Sequence, residues 1–293
     1  MTESPAHVLF GSDVLDVGEF RCWPDHPRWE ELNDIGGRPH VVFPGTSVVI
    51  QHLGCSAVLA DRNLVMFYNA HDRYRRQLHD RRGDHCVFVA IAPPSFAELV
   101  GASGVAFTHA PGDACAYLCQ STVVRRLRAG ECDALYVEEA ILEAVQRSLE
   151  RGLRHHQTRT GRRPQTEDRH RELAEAAKAA LNEFPALRTS VGELAHRLHV
   201  SEFHLARIFR AFTGFTLHAY RNQLRLRLAL DLIDEDGCDL ATLATELGFS
   251  SHSHFTDAFR SLFGAPPSVV RASGRSSRRE LRRKTEAPLA ARS

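Results

Sequence analysis

The sequence predicts an α+β chain in two parts: a small antiparallel β barrel or sandwich with helices, then an all-helical part carrying two helix-turn-helix motifs. Three observations predict it. From Val8 to His109, short apolar runs alternate with turn residues. Beyond residue 130, apolar residues recur at helical spacing. Between Thr189 and Arg271, one short pattern occurs twice. A chain of 293 residues suits about two domains.

The front runs are Val14–Phe20, His40–Phe43, Ser47–His52, Ala57–Leu59, Leu64–Tyr68 and Cys86–Ala92. Their Val and Phe content suits strands, and Pro44-Gly45, Asp61-Arg62-Asn63 and Gly83-Asp84 break them. Three groups here have side chains suited to chemistry. His71, His79 and His85 are imidazoles within one hairpin-like stretch, although no close His-x-His accompanies them; surface histidines are the plainer reading. Arg73, Arg75, Arg76, Arg81 and Arg82 surround Tyr74, and bidentate guanidinium donors suit a carboxylate or phosphate ligand. In a strand, Arg73 and Arg75 share one face, and Tyr74 and Arg76 the other. Arg73, Tyr74 and Arg75 are the candidate ligand contacts, with a solvated hairpin balanced by acids as the alternative.

The third group is Cys115, Cys119 and Cys132. The segment Ala114–Ala129 reads as a helix, placing Cys115 and Cys119 on one face. Three thiols could hold zinc or a softer ion, or sense oxidation if Arg125, Arg126 and Arg128 lower their pKa. No Cys-x2-Cys is present and buried free thiols are common, so no metal and no cofactor is expected. Seven cysteines, an odd number, fit a reducing compartment. The opening MTESPAHV lacks the form of a signal peptide and no apolar run reaches membrane-spanning length, so a cytoplasmic chain without membrane contact is expected.

Residues 1–130 are read as the β-rich part and 131–153 as a helical segment. Leu135, Leu142 and Leu149 at seven-residue spacing could face a second copy or the chain's own core. The polar, basic stretch 154–166, broken by Gly161 and Pro164, is read as a linker. Residues 167–272 form the helical part, opened by an alanine-rich helix that stops before Pro185. A helix of about 18 residues through Leu217, Tyr220, Leu224, Leu228 and Leu232 joins the two motifs, with Arg221, Arg225 and Arg227 on or beside its polar face. The basic tail 273–293 has no apolar periodicity and is expected to be disordered.

The repeat reads Leu194-Ala195, Leu198, Val200-Ser201, Leu205, Phe209-Arg210, Phe212, Gly214, and again Leu243-Ala244, Leu247-Gly248-Phe249, Ser251, Phe255, Phe259-Arg260, Leu262, Gly264. From the serine onward the offset is fifty, but the Leu-Ala pairs differ by forty-nine, so the second turn holds one extra residue. Each serine can cap the helix it opens. Apolar residues four and eight places later give one buried stripe, and the opposite face carries polar residues. His199 stands where the second copy has Gly248, at a turn that often needs positive φ, so the first turn is expected to differ slightly.

Residues 172–272 resemble the DNA-binding domain of AraC/XylS-type transcription regulators. Ser201-x3-Leu205-x3-Phe209-Arg210, Leu224-Arg225, Gly248-Phe249 with Ser251, and Phe255-x3-Phe259-Arg260 through Gly264, Pro267 and Arg271 carry the resemblance. It implies a cytoplasmic, sequence-specific regulator, expected to act as an activator, with no enzymatic activity. Its partners would be double-stranded promoter DNA, an unknown small-molecule effector held in a cupin-like front domain, a second copy as homodimer, and RNA polymerase as a candidate. A thiol- or metal-responsive regulator is the alternative reading, and a metal-dependent cupin enzyme the more remote one.

The resemblance places Phe203, Ala206 and Arg207 toward bases, Arg207 suiting guanine, with His252, Ser253, Thr256 and Asp257 as their counterparts. Ser201 and Ser251 open the reading helices and Arg210 closes the first, in a structural or phosphate role. Many relatives have a basic or amide residue at the position of Asp257, which weakens the second motif's expected grip on DNA. Charge agrees with the division. Residues 1–153 carry 14 arginines, no lysine and 20 acids, whereas 154–293 carry 23 cations and 16 acids.

Overall fold

The computed structural model describes residues 4–157, 164–187, 189–233 and 238–272. The centre of the expected linker and the expected disordered tail, 273–293, lie outside them. Ten strands come first: β1 (Ala6–Gly11), β2 (Leu15–Cys22), β3 (Asn33–Asp34), β4 (His40–Pro44), β5 (Val48–His52), β6 (Val58–Ala60), β7 (Leu64–Tyr68), β8 (Arg73–Leu78), β9 (Asp84–Ile91) and, after helix α1 (Pro93–Val100), β10 (His109–Pro111). Eight helices follow: α2 (Ala114–Arg128), α3 (Ala134–Gln157), α4 (Pro164–Glu183), α5 (Val191–Arg197), α6 (Glu202–Thr213), α7 (Leu217–Leu232), α8 (Leu240–Glu246) and α9 (His252–Phe263). No helix among the described residues is long and apolar enough to cross a membrane.

The strands form two antiparallel sheets, ordered β1-β2-β9-β4-β7-β10 and β3-β8-β5-β6. Their facing sides enclose Trp29, Val48, Ile50, Val58, Met66 and Tyr68. The larger sheet is covered on both sides, because β7 and β9 alternate two sets of apolar residues. Met66 and Tyr68 turn between the sheets, while Val65, Phe67, Val89 and Ile91 pack outward against α2 and α3. Asp113 caps α2 by accepting from the Ala116 backbone N–H at 3.0 Å.

The seven-residue leucine spacing of α3 does not mark one surface. Leu149 is buried against the sheet, whereas Leu135 is 72% exposed. Val137, Ile141, Ala144 and Val145 make the stripe that packs, following the 3.6-residue period rather than the heptad.

The outward core does not stop at α3. Leu226, Ala229 and Leu230 of α7, Leu243 and Leu247 of the α8 turn, and Phe255, Phe259 and Phe263 of α9 belong to the same apolar cluster. The α5–α6 pair has its own core of Ala177, Leu181, Leu194, Leu205, Phe209 and Tyr220. The helix α4, packed on that pair, meets the strands through polar contacts. Glu175 accepts from the Leu59 backbone N–H at 2.7 Å, and Asn182 donates to Asp61 at 2.7 Å.

One loop, Asp61-Arg62-Asn63 between β6 and β7, bolts the helical part to the strands. Buried Asp61 accepts from the Tyr220 hydroxyl at 2.6 Å, and Asn63 donates its amide to the Tyr220 carbonyl at 2.8 Å. Arg227, 0% exposed, donates to the carbonyls of Arg62 and Gly112 and to Asn63 Oδ1, each at 2.8 Å. Burial pulls its pKa down to about 10, against the favourable fields of Tyr117 and Asp61, which leaves it charged at neutral pH.

The arginines expected along the polar face of the connecting helix are therefore not there. Arg225 donates to the carbonyls of Pro185, Ala186, Leu187 and Gly248. Arg221 donates to those of Leu187 and Thr189. Each guanidinium satisfies several backbone carbonyls at once, a use open to a five-donor fork.

Candidate nucleic-acid interface

Two helix pairs present similar outer faces. In the first, Ser190 and Glu193 form a reciprocal capping box at the start of α5. In the turn that follows, Ser201 Oγ accepts from the His204 backbone N–H at 3.3 Å and opens α6. In the second, Asp239 caps α8, and Ser251 Oγ accepts from the His254 N–H at 3.1 Å to open α9. Gly214 and Gly264, in the left-handed region at φ 77° and 80°, close α6 and α9.

The turns are more alike than the sequence suggests. His199 adopts φ 55° and Gly248 φ 78°, both left-handed. What separates them is surroundings. A Cβ on Gly248 would lie 2.2 Å from the Ala186 carbonyl oxygen, whereas His199 is exposed.

Leu205, Ile208, Phe209 and Phe212 of α6, and Phe255, Phe259 and Phe263 of α9, are buried. Opposite them, Ala206, Arg207 and Arg210 stand exposed on α6, and His252, Ser253 and Asp257 on α9. Phe203 is 91% exposed, beside a stripe that buries other aromatics completely. Arg207 lies with Nη2 3.4 Å from His204 Nδ1. Thr256 is half-buried, and its hydroxyl is buried without a hydrogen-bond partner among the described residues. The first turns of α6 and α9 also carry the positive end of the helix dipole, which favours an anion.

The front part holds a cavity of about 290 Å³ between its sheets. Tyr74 and Arg76 line it from β8, while Arg73 and Arg75 point outward and are exposed. Of the three candidate ligand contacts Arg73, Tyr74 and Arg75, Tyr74 lines the cavity and the two arginines do not; Arg76, on the same strand face as Tyr74, stands there instead.

The other candidate groups disperse. His71 is exposed, His79 hydrogen-bonds Ser47 at 2.9 Å, and His85 lies 3.6 Å from Glu19. Among the described residues no cluster of His, Cys, Asp or Glu is placed to hold a metal. Cys115 is exposed. Burial, reinforced by Glu143, pushes Cys119 up to about 11, and burial also raises Cys132. The nearby arginines do not activate these two thiols as expected, because desolvation outweighs their field.

Comparison with known proteins places the helical pairs. A family model described as a helix-turn-helix domain matches residues 194–273. The probable transcription factor PqrA of Proteus vulgaris is 33% identical over 84 residues, 29% of this chain and 69% of PqrA. The uncharacterized HTH-type transcriptional regulator YidL of Escherichia coli K12 is 36% identical over 103 residues, 35% of each chain. A solved transcriptional regulator from Chromobacterium violaceum, described as having an AraC-type DNA-binding domain, is 25% identical and covers 35% of this chain and 92% of that one, with a TM-score of 0.34. The matches span about a third of the length of the first curated relatives.

Proposed function

The chain belongs to the AraC family of helix-turn-helix transcription regulators, and from that membership we propose that it reads promoter DNA with α6 and α9 under the control of a ligand sensed in front. The two helix pairs act as two helix-turn-helix motifs on one strut, α7. Sixteen residues make that strut about 24 Å long. Phe203, Ala206 and Arg207 face base edges from the first motif, and His252, Ser253 and Asp257 from the second. Thr256 contributes less, its hydroxyl being turned inward. Residues 1–130 form a cupin-like sensor, 131–153 offer exposed Leu135 to a second copy, and 167–272 make the reader. The reading is of a regulator rather than an enzyme.

One observation carries the reading: an almost fully exposed phenylalanine on a capped helix whose other aromatic residues are buried. Such a side chain is costly in water and suits a thymine methyl group. Arg207→Ala is expected to weaken binding to a selected operator by about 1–3 kcal/mol and to relax preference at one base pair. Gel-shift titrations on the operator and on random duplex measure this; an equal loss on both would reduce Arg207 to a backbone contact.

The grip on phosphate is expected to make log K fall linearly with log salt, by roughly 0.9 per phosphate neutralised. Fluorescence anisotropy across a salt series reads the slope. A flat series would contradict DNA binding through this face.

A further inference from the structure

We propose that the cavity between the two sheets takes a small organic acid, a single carboxylate on a flat apolar body, with Arg76 as its anchor. The inference rests on the reading of the front part as a sensor and names the chemistry of what it senses.

Arg76 reaches inward from β8 with its side chain 1% exposed. Nη2 donates to Asn33 Oδ1, and Nη1 lies 3.3 Å from Asp84 Oδ2. That approach is an ion pair without hydrogen-bond alignment, so both Nη1 and Nε lack a hydrogen-bond partner among the described residues. The guanidinium is enclosed by aromatic rings, 4.9 Å from the centroid of Phe20, 5.6 Å from Trp29 and 5.8 Å from Tyr74. Asp84 and the rings offset part of the desolvation of this buried cation, but its unfilled donors leave part uncompensated. What the site lacks is an acceptor.

The remaining wall limits what can bring that acceptor. Val42, Ile50, Met66 and Phe88 offer apolar surface. A polyol would lose much of its water against that apolar stretch, and a phosphate dianion would bring two charges to a buried cation already shared with an acid. A primary amine could pair with Asp84 only by displacing Arg76 from it. The volume, about 290 Å³, lies at the low end for small-molecule sites. A flat ring between Phe20, Tyr68 and Phe88 with one carboxylate toward Arg76 satisfies each limit.

Asp84 is compatible with a second negative group. Burial raises its carboxyl pKa against the pull of Arg76 and His85, so it can take up a proton as the ligand enters. Burial also keeps the Tyr68 and Tyr74 phenols protonated, and hence able to donate. His40, on the same wall, is held toward its neutral form by burial despite Asp16.

The test is calorimetric titration of the full chain with phenylacetate, phenylacetamide and 2-phenylethylamine, which share one body and differ in head group. Phenylacetate is expected to bind about 10- to 100-fold more tightly than the amide, and the amine to give no binding heat. The double variant Arg76→Met/Asp84→Asn removes both charges together, leaving no lone buried ion. It is expected to lose the preference for acid over amide. An amide or amine that binds as well as the acid, no binding by any of the three, or a preference retained in the double variant would each overturn the proposal. Should the double variant fail to fold, the head-group series on the unaltered chain still decides. Gel shifts on the same preparation separate the two readings: DNA binding without the head-group preference removes the acid alone, and the preference without DNA binding removes the regulator.

Discussion

Arg227→Met is expected to destabilise the folded chain by about 3–5 kcal/mol, the range for breaking a buried charged network from one side. The substitution keeps much of the apolar stem but strands the carbonyl oxygens of Arg62 and Gly112 and the Asn63 side-chain oxygen. It also removes a cation that buried Asp61 favours through its field. Arg227→Lys is expected to recover only part of the loss, because one ammonium cannot reproduce a planar fork spanning several acceptors. Urea unfolding at neutral pH measures both variants. A loss below about 1 kcal/mol for Arg227→Met would mean that water replaces the guanidinium without cost, and the bolt would not hold the two parts together.

Gly248→Ala is expected to cost about 2–4 kcal/mol, from overpacking and a strained backbone together. The added Cβ would meet the Ala186 carbonyl oxygen at 2.2 Å and Arg225 Nη2 at 3.0 Å. That carbonyl cannot easily withdraw, since Arg225 holds Pro185, Ala186 and Leu187 together. The φ of 78° adds strain for any side chain. His199→Gly, at the matching turn, is expected to change stability by no more than about 1 kcal/mol, because relief of backbone strain is offset by the freer unfolded chain. Thermal or urea unfolding of the pair distinguishes close packing from turn geometry: equal effects at the two positions would leave no role for the Ala186 contact.

The helix pairs were legible because their signals are local. Ser201 and Ser251 cap neighbours three residues away, and Gly214 and Gly264 each close a helix of 12 residues. Strand identity in front was legible from short apolar runs and their breakers for β2, β4, β5, β6, β7 and β9. The opposite sides of Tyr74 and Arg76 against Arg73 and Arg75 followed from the pleat. Which side faces the cavity did not, because that depends on β8 pairing with β3 and β5, forty and twenty-odd residues away in sequence. The connecting-helix arginines failed for a related reason. Arg225 and Arg227 look like solvated cations in a helical projection, but their acceptors are carbonyls of distant turns, which no periodicity reveals.

The two helix pairs are held by bonds of different kinds. The α8–α9 pair shares a continuous apolar core with α2, α3 and the larger sheet, and separating them would wet that core. The α5–α6 pair is carried by α4 and α7, which meet the strands through Glu175, Asn182 and the buried Asp61–Tyr220 bond, directed contacts that are satisfied in one arrangement. Any change of pitch between the two pairs would therefore act on that joint: the second pair is the fixed leg of a pair of dividers, and Asp61 is the screw that sets the first. Should both pairs read DNA as proposed, operator half-sites at an unfamiliar interval would be met only by loosening that screw, at the cost of the bonds it holds.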